Sequence, residues 1–246
     1  MNLIFGKWCF KAGLVPSILA LLFFSLFVSL GFWQLDRAEY KKTLYSEFLK
    51  QYAVPATDIK EIYDNKNSYQ NALWKKFKAT GNFLESVQIL LDNQVAKSET
   101  GYYVYTPFKP EGGTEWILVN RGWVAAGVDR SIIPEMKRTD RVVDIYGVIK
   151  DVPRTGLLLQ DAAPEKMSKN VYRVQKIDVA KLEQVLNIKL KPVILRLEPE
   201  SEHGYLKEWR IPGSGEEVHL GYAFQWFAFA ATLLIIYLVL TIRKQN

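Results

Sequence analysis

The fold class is decided by the stretch AGLVPSILALLFFSLFVSLGFWQL at residues 12–35, which carries no formal charge. A second uncharged stretch, VHLGYAFQWFAFAATLLIIYLVLTI, occupies residues 218–242. A helix rises about 1.5 Å per residue and the core of a bilayer is about 30 Å thick, so each stretch is long enough to cross it. We predict a membrane protein with transmembrane helices at 12–35 and 218–242 and one extramembrane domain at 36–217.

The charged residues beside these stretches predict their orientation. Lys7 and Lys11 precede the first stretch, and Arg243 and Lys244 follow the second. Short basic flanks stay in the cytoplasm, so both termini are predicted to be cytoplasmic. The first stretch exceeds the signal-peptide core of about 7–15 apolar residues and is predicted to be a retained anchor. The residues before it leave little room for a mitochondrial presequence, which favours a bacterial inner membrane with the middle domain in the periplasm.

Charge and composition argue against several function classes. Residues 37–217 hold 28 of the 32 Lys and Arg and 25 of the 26 Asp and Glu, a net charge of +3 that does not indicate a nucleic-acid partner. The single cysteine, Cys9, cannot form an intramolecular disulfide, and the predicted topology separates it from both histidines. Because no nucleophile or phosphate-binding motif is present either, the sequence does not predict an enzyme.

The middle domain is predicted to consist mostly of β-strands. Seven runs are rich in β-branched and aromatic residues: Lys75–Thr80, Ser86–Leu91, Tyr102–Phe108, Trp116–Val119, Val142–Ile149, Val171–Val174 and Val193–Leu197. We interpret five sites as breaks between strands: Gly81–Asn82, Asp92–Asn93, Pro110 with Gly112–Gly113, Arg121–Gly122 and Pro153. This spacing indicates a mainly antiparallel, barrel-like α+β domain. Asp178 is the expected N-cap of one helix, and Ser201–Glu217 is the expected juxtamembrane linker.

The first apolar stretch carries two further signals. Ser25 and Ser29 form a small-xxx-small pair, which predicts close packing against the second span or against a partner's helix. A charged continuation of the span is expected from Arg37 to about Tyr52.

The second stretch begins with the candidate functional residue, His219. On a helix, His219, Tyr222 and Trp226 share a face with two small residues, Ala223 and Ala230. An imidazole is a common axial ligand of haem iron, and aromatic rings beside a small-residue gap would suit a flat macrocycle. The alternative is an interfacial histidine beside an ordinary aromatic belt, and the residues alone leave both possibilities open.

Four motifs in sequence order resemble the Surfeit-locus (Surf/Shy-type) family, assembly factors for haem–copper cytochrome c oxidase. They are Gly31–Arg37 (GFWQLDR), Gly101–Val104 (GYYV) with Thr106–Phe108 (TPF), Val119–Val124 (VNRGWV), and His219–Phe227 (HLGYAFQWF). The resemblance implies a membrane protein that binds haem a transiently and helps to place it in the catalytic subunit of the oxidase. That subunit is the implied partner, haem a synthase is a further candidate, and membrane lipid surrounds both spans.

The resemblance also implies site residues. His219 is implied as the axial ligand of the haem iron, with Tyr222 and Trp226 as haem contacts. The family commonly has two asparagines before this histidine, whereas this chain has Glu217 and Val218, so contacts by those amides are not expected here.

Three more residues in these motifs are candidates for contact with a haem propionate or a partner. Gln34 and Arg37 lie at the outer end of the first span, where Arg37 is either an interfacial anchor or a partner contact. Arg121 either stabilises a turn within the domain or pairs with a propionate or an oxidase carboxylate, since a guanidinium suits a carboxylate fork.

The sequence therefore leaves two candidate functions. The first is a haem chaperone for oxidase assembly, which makes or breaks no bond in haem and is not an enzyme. The second is a haem-independent membrane scaffold that stabilises the nascent oxidase subunit, with His219 as an interfacial residue. A membrane-tethered enzyme is disfavoured, because no catalytic cluster can be assembled from the sequence at useful spacing.

Overall fold

A computed structural model describes residues 2–5, 8–61, 69–139, 141–153 and 163–244. The chain forms two compact units, Met1–Leu49 with Arg210–Asn246, and Lys50–Trp209. In chain order the elements are β1 Asn2–Phe5, β2 Trp8–Lys11, α1 Leu14–Tyr52, β3 Thr57–Asp58, α2 Tyr69–Ala72, β4 Lys76–Phe83, β5 Gln88–Ala96, β6 Glu99–Pro110, β7 Trp116–Ala125, β8 Val143–Lys150, β9 Glu165–Lys166, β10 Val171–Val174, α3 Val179–Leu186, β11 Leu190–Leu197, α4 Glu216–Thr241 and β12 Ile242–Lys244.

The first unit contains the two long apolar helices, α1 and α4, together with a small sheet of β1, β2 and β12. Both helices are long and apolar enough to cross a membrane. Helix α1 has 39 residues and includes the charged continuation expected after the first span. At about 1.5 Å per residue it is roughly 58 Å long, well beyond the thickness of a bilayer core. The predicted end of the span at residue 35 therefore falls inside a continuous helix.

The two long helices pack through aromatic and small residues. The Phe27 ring lies 5.8 Å from the Trp226 ring and 5.9 Å from the Phe229 ring, measured between centroids. Near the other end, the hydroxyl groups of Ser17 and Tyr237 lie 2.7 Å apart. The Ser25 and Ser29 pair is exposed and does not form this interface.

The small residues that are buried on the two helices are not these serines. Gly31 and Ala38 are buried on α1, and Ala223 and Ala230 on α4. A helix turns by about 100° per residue, which places Ser25 and Ser29 well away from the Gly31 side of α1. The prediction that this serine pair brings the two spans together was therefore wrong, although the spans do pack.

The second unit is built on a closed ring of five strands in the order β4, β8, β11, β7 and β6, with β6 pairing back to β4. Strands β5, β10 and β9 extend the sheet beyond β6, and β3 pairs with β4. Six of the pairings in this sheet are antiparallel, and three are parallel: β3 with β4, β5 with β10, and β7 with β11. The mainly antiparallel, barrel-like domain expected from the sequence is thus confirmed.

The core follows from the pattern of side chains along the strands. Strand β4 alternates between buried and exposed positions, as expected for a strand with one face in a core. Phe77, Phe108, Ile145 and Leu195 belong to the large cluster inside the ring. Strands β7 and β11 are buried at nearly every position, because a second cluster covers them on another side.

Helix α3 contributes to this second cluster. Its N-cap is Asp178, whose carboxylate accepts a hydrogen bond of 3.2 Å from the backbone N–H of Lys181. Leu182 is fully buried in the cluster with Leu190 and Ile194 of β11. The predicted helix and its cap are confirmed.

Three of the five predicted breaks are wrong, since they lie inside strands, whereas Gly112–Gly113 and Pro153 lie outside strands as predicted. Gly81–Asn82 is part of β4, and a Cβ at Gly81 would lie 2.1 Å from the carbonyl oxygen of Lys109 on β6. Asp92–Asn93 and Arg121–Gly122 occur where the registers of β5 and β7 against β6 shift, which marks β-bulges. Glycine and asparagine here permit close approach and irregular backbone rather than chain reversal.

The expected linker Ser201–Glu217 is also corrected, because its first half belongs to the barrel unit. The backbone N–H of Tyr205 donates to the carbonyl of Arg121 at 2.7 Å, and the N–H of Trp123 donates to the carbonyl of Leu206 at 2.7 Å. The pairing of β11 with β7 ends at Asn120, and the segment after β11 satisfies backbone groups of β7 beyond that point.

Candidate functional site

The candidate site lies in the first unit, where α4 begins. His219 is in the first turn of α4, and its Nδ1 lies 2.8 Å from Oε1 of Gln34 on α1. A carboxamide oxygen can only accept a hydrogen bond, so this contact corresponds to the tautomer with its proton on Nδ1. The other ring nitrogen, Nε2, then carries the lone pair with which an imidazole binds a metal.

Helix packing holds Gln34 in place for this contact. Gly31, Gln34 and Ala38 are buried and follow one another at helical spacing on α1. Gly31 permits the close approach of the helices, because a Cβ there would lie 2.6 Å from a ring carbon of Phe227. The Phe227 ring also packs edge-on against Phe32, with the centroids 5.4 Å apart. The Gln34 side chain is thus fixed by packing against α4.

The residues expected beside His219 divide into two groups. Trp226 stacks on Phe27, and Ala223 and Ala230 are buried at 1% and 3% exposure, so the small-residue gap on this helix face is filled by the protein itself. Tyr222 is half exposed. The accessible surface next to His219 is therefore on the Tyr222 side of the helix, and Trp226 lies in the helix–helix contact.

Arg37 is exposed on α1, three residues beyond Gln34. Its guanidinium carbon lies 5.0 Å from the centroid of the Tyr40 ring, a cation–π contact within one helical turn. Its charge is accessible, which suits both of the roles considered for it, an interfacial anchor or a partner contact.

Arg121 belongs to the barrel unit, and its side chain is fully buried. Its Nη1 donates to Oε1 of Glu85 at 2.8 Å, and the Glu85 side chain is only 5% exposed. Nε donates to the carbonyl of His203 at 2.9 Å, and Nη2 donates to the carbonyl of Lys137 at 3.1 Å. The guanidinium is thus bonded on each of its three nitrogens, which is the geometry of a structural residue.

The β-bulge explains how a charged side chain comes to lie inside the barrel unit. Val104 of β6 pairs with Gly122 of β7 and Tyr105 pairs with Asn120, so Arg121 is the extra residue of the bulge. Gly122 has φ +115°, which other residues rarely adopt. A bulge changes the direction of the side chain it carries, and here the guanidinium also lies over the rings of Phe83 and Tyr205.

Sequence reasoning found His219 and Gln34 separately and missed their pairing, because 185 positions separate them. It also missed Glu85, which no motif distinguishes from a surface glutamate. The useful signal is Gly31, three residues before Gln34, which allows close approach at the position where a polar residue in an apolar helix needs a partner. Within the described residues, no group of three or more His, Cys, Asp or Glu side chains is placed to bind a metal ion.

Comparison with known proteins agrees with the motifs. The sequence pattern of the SURF1 family matches residues 21–231. A SURF1-like protein of Rickettsia bellii is 30% identical over 229 residues, 90% of this chain and 88% of the relative. An uncharacterized SURF1-like protein of Mycobacterium tuberculosis is 25% identical over 204 residues, 82% of this chain and 73% of that protein.

A more distant relative is known by its role. The cytochrome oxidase assembly protein SHY1 of Saccharomyces cerevisiae is 24% identical over 110 residues, 44% of this chain and 28% of the yeast protein. The match of the family pattern extends from within α1 to within α4 and covers the whole barrel unit. The resemblance noted in the sequence is thereby confirmed, and this chain belongs to the SURF1 family.

Proposed function

We propose that this protein is an assembly factor of haem–copper cytochrome c oxidase that carries haem a as a transient cargo. Nε2 of His219 is the proposed axial ligand of the haem iron. The partner is the catalytic subunit of the oxidase, and haem a synthase is the proposed donor of the cargo. No bond within haem is made or broken, so the role is that of a chaperone and not of an enzyme.

Membership of the SURF1 family and the name of the yeast relative support the role in oxidase assembly. The two long apolar helices support a place in a membrane. The bacterial relatives support a bacterial inner membrane, and the basic flanks support a topology with both termini in the cytoplasm and the barrel unit in the periplasm. In this topology His219 lies near the periplasmic surface of the membrane, at the start of α4.

The single observation that carries the haem proposal is the bond between His219 and Gln34. Histidines that bind metals commonly donate their second nitrogen to another group, which fixes the ring and its tautomer. Gln34 accepts this hydrogen bond here, so Nε2 of His219 remains available to coordinate the iron of the haem cargo. The half-exposed ring of Tyr222, three residues further along α4, offers an aromatic surface on the same helix face as His219.

The chemistry of this pair suits a cargo that must be released. A carboxylate acceptor would increase the basicity of the imidazole and strengthen its bond to a metal. Gln34 is a neutral amide and provides orientation with little increase in basicity. One protein ligand held by a neutral partner would give coordination weak enough for transfer to the oxidase subunit.

The same hydrogen bond also favours a second candidate function. A polar pair between two helices is a common way to join them in a membrane, where it contributes about 0.6–2 kcal/mol. His219 could then serve helix packing alone, in a scaffold that stabilises the nascent oxidase subunit without contact with haem.

One experiment separates the two functions. The full chain is purified from cells that make haem a, and its haem is identified from the reduced pyridine haemochrome spectrum. We expect haem a with the parent, none with His219→Ala, and unchanged content with the matched control His203→Ala. If the parent carries no haem a despite ample supply, or if His219→Ala retains it, the ligand role is wrong and the scaffold function is favoured.

A further inference from the structure

A pocket with no assigned role lies in the barrel unit. Its volume is about 350 Å³, and its lining includes Trp74, Tyr105, Asn120, Lys150, Ile194 and Arg196. Pockets that bind small molecules have volumes of about 300–1,000 Å³, so this one would hold a small ligand. The oxidase-assembly proposal makes no use of these residues.

Neighbouring strands bring the polar residues of the pocket together. Arg196 of β11 lies opposite Asn120 on one side and opposite Val148 of β8 on the other. Lys150 is the last residue of β8, two positions beyond Val148. The amide of Asn120 donates to the hydroxyl of Tyr105 at 3.1 Å, which leaves the proton of that hydroxyl available to a ligand.

Aromatic rings hold both cationic side chains. The Nζ of Lys150 lies 3.0 Å from the centroid of the Trp74 ring, and the guanidinium carbon of Arg196 lies 5.0 Å from the centroid of the Trp209 ring. Such contacts fix a cation without neutralising its charge. The buried Nε of Arg196 has no hydrogen-bond partner among the residues that the structure describes.

The described residues of this pocket do not balance its two positive charges. Within the described part of the chain, no carboxylate oxygen lies within 4.0 Å of Lys150 or Arg196. Asp151 lines the pocket but is exposed, and the carboxylate of Glu198 accepts a hydrogen bond from Tyr52. Burial and the charge of Arg196 lower the pKa of Lys150 to about 7. Both cations are half-buried, and their partial removal from water without a counter-ion among the described residues is costly, so an anion between them would remove part of that cost.

We propose that this pocket binds a small organic anion with a carboxylate group on a flat apolar body. The carboxylate lies between Lys150 and the free Nε of Arg196, and the hydroxyl of Tyr105 is a further donor. The apolar body contacts Trp74 and Ile194. An inorganic phosphate would leave this apolar wall unused, and a neutral molecule would leave the two cations unbalanced.

The test is a titration of the full chain in lipid nanodiscs with benzoate, followed by saturation-transfer NMR of the benzoate ring protons. Benzamide, which has nearly the same shape but no charge, is titrated in parallel. The variants are Lys150→Gln, Arg196→Gln and Arg196→Lys. The matched control is Lys109→Gln, since Lys109 also lies over a tryptophan, with its Nζ 5.4 Å from the Trp116 ring centroid, but does not line the pocket.

We expect saturable binding of benzoate to the parent and to Lys109→Gln, and no saturable binding of benzamide. Lys150→Gln and Arg196→Gln should each weaken benzoate binding at least about tenfold, the equivalent of about 1.4 kcal/mol. Arg196→Lys keeps the charge and should retain part of the affinity, which protects the result if Arg196→Gln does not fold. Binding should also take up protons at pH 8, detected by calorimetry in two buffers, because an anion raises the pKa of Lys150.

Two outcomes would overturn the proposal. One is the absence of saturable benzoate binding to the folded parent. The other is equal binding by the parent, Lys150→Gln and Arg196→Gln, which would place the ligand elsewhere on the protein. Neither outcome depends on haem, so the result is independent of the function proposed for His219.

Discussion

Replacing Arg121 by methionine tests whether this residue acts inside the barrel or on a partner. Methionine retains the packing against Phe83 and Tyr205 but leaves Glu85 buried without its ion-pair partner, since the Glu85 side chain is 5% exposed. Removing one member of a buried ion pair costs about 3–5 kcal/mol. A domain of this size has a free energy of unfolding of about 5–15 kcal/mol, so the loss is a large fraction of it.

The expected effect can be measured by thermal unfolding of the full chain in detergent, monitored by tryptophan fluorescence. A loss of about 4 kcal/mol should lower Tm by roughly 8–16 °C, because 1 kcal/mol corresponds to about 2–4 °C in a domain of 150–250 residues. The matched control is Lys97→Met, which removes an exposed ion pair with Glu208 whose side chains are 60% and 57% exposed. The control should cost less than about 1 kcal/mol.

A double variant identifies the origin of the loss. Glu85→Gln added to Arg121→Met removes the unbalanced buried charge and should restore at least half of the lost stability. If Arg121→Met is instead within about 1 kcal/mol of the parent, the two side chains do not form a buried pair in solution, and our argument is refuted. Arg121 would then be free for the propionate or partner contact considered from the sequence.

Three further predictions concern the helices and the pocket. Gln34→Leu removes the acceptor of His219 Nδ1 and should weaken haem a binding by about 10- to 100-fold without abolishing it, measured by titration of the purified chain with haem a; unchanged affinity would contradict the orienting role. Gly31→Ala places a Cβ 2.6 Å from a ring of the facing helix and should lower stability by about 1–3 kcal/mol in thermal unfolding, whereas Gly221→Ala, with nothing within 4 Å, should not destabilise. Lys150→Met should stabilise the chain most at or below pH 7 and least near pH 10, measured as Tm against pH. The pKa of Lys150 is about 7 in the folded chain, below its value in the unfolded chain. Between pH 7 and pH 10 the unfolded parent therefore binds more protons than the folded parent, so the parent becomes more stable as the pH rises. A stabilisation that does not vary with pH would contradict the lowered pKa.

Much of the fold could be predicted because its signals are local. The absence of charge over residues 12–35 and 218–242 identified both long helices, and the cap at Asp178 identified α3. Gly81 and Gly122 were misinterpreted because glycine is favoured alike in turns, where two strands approach closely and in β-bulges. Only the position of β6 beside β4 and β7 shows which of these it is.

The candidate site was predictable in part for the same reason. His219 could be selected from its own neighbours on α4, but its hydrogen bond to Gln34 depends on the packing of two helices from opposite ends of the chain. Arg121 is the opposite case, since its motif marked it as special while its environment depends on a bulge and on Glu85, 36 positions earlier. A motif therefore identified residues with a constrained role and did not show whether that role was functional or structural.

The position of β11 in the ring has a consequence for the order in which the protein is made. Strand β11 lies between β7 and β8, yet it ends at Leu197 of 246 residues and is the last strand of the ring to be synthesised. Until it arrives, β7 and β8 each present an unpaired edge to other chains. The 47 residues from Lys150 to Leu197 require roughly 2–10 s at about 5–20 residues per second. A ribosome that stops before Leu190 therefore releases an open sheet, and such a truncated chain is expected to aggregate rather than form a smaller barrel.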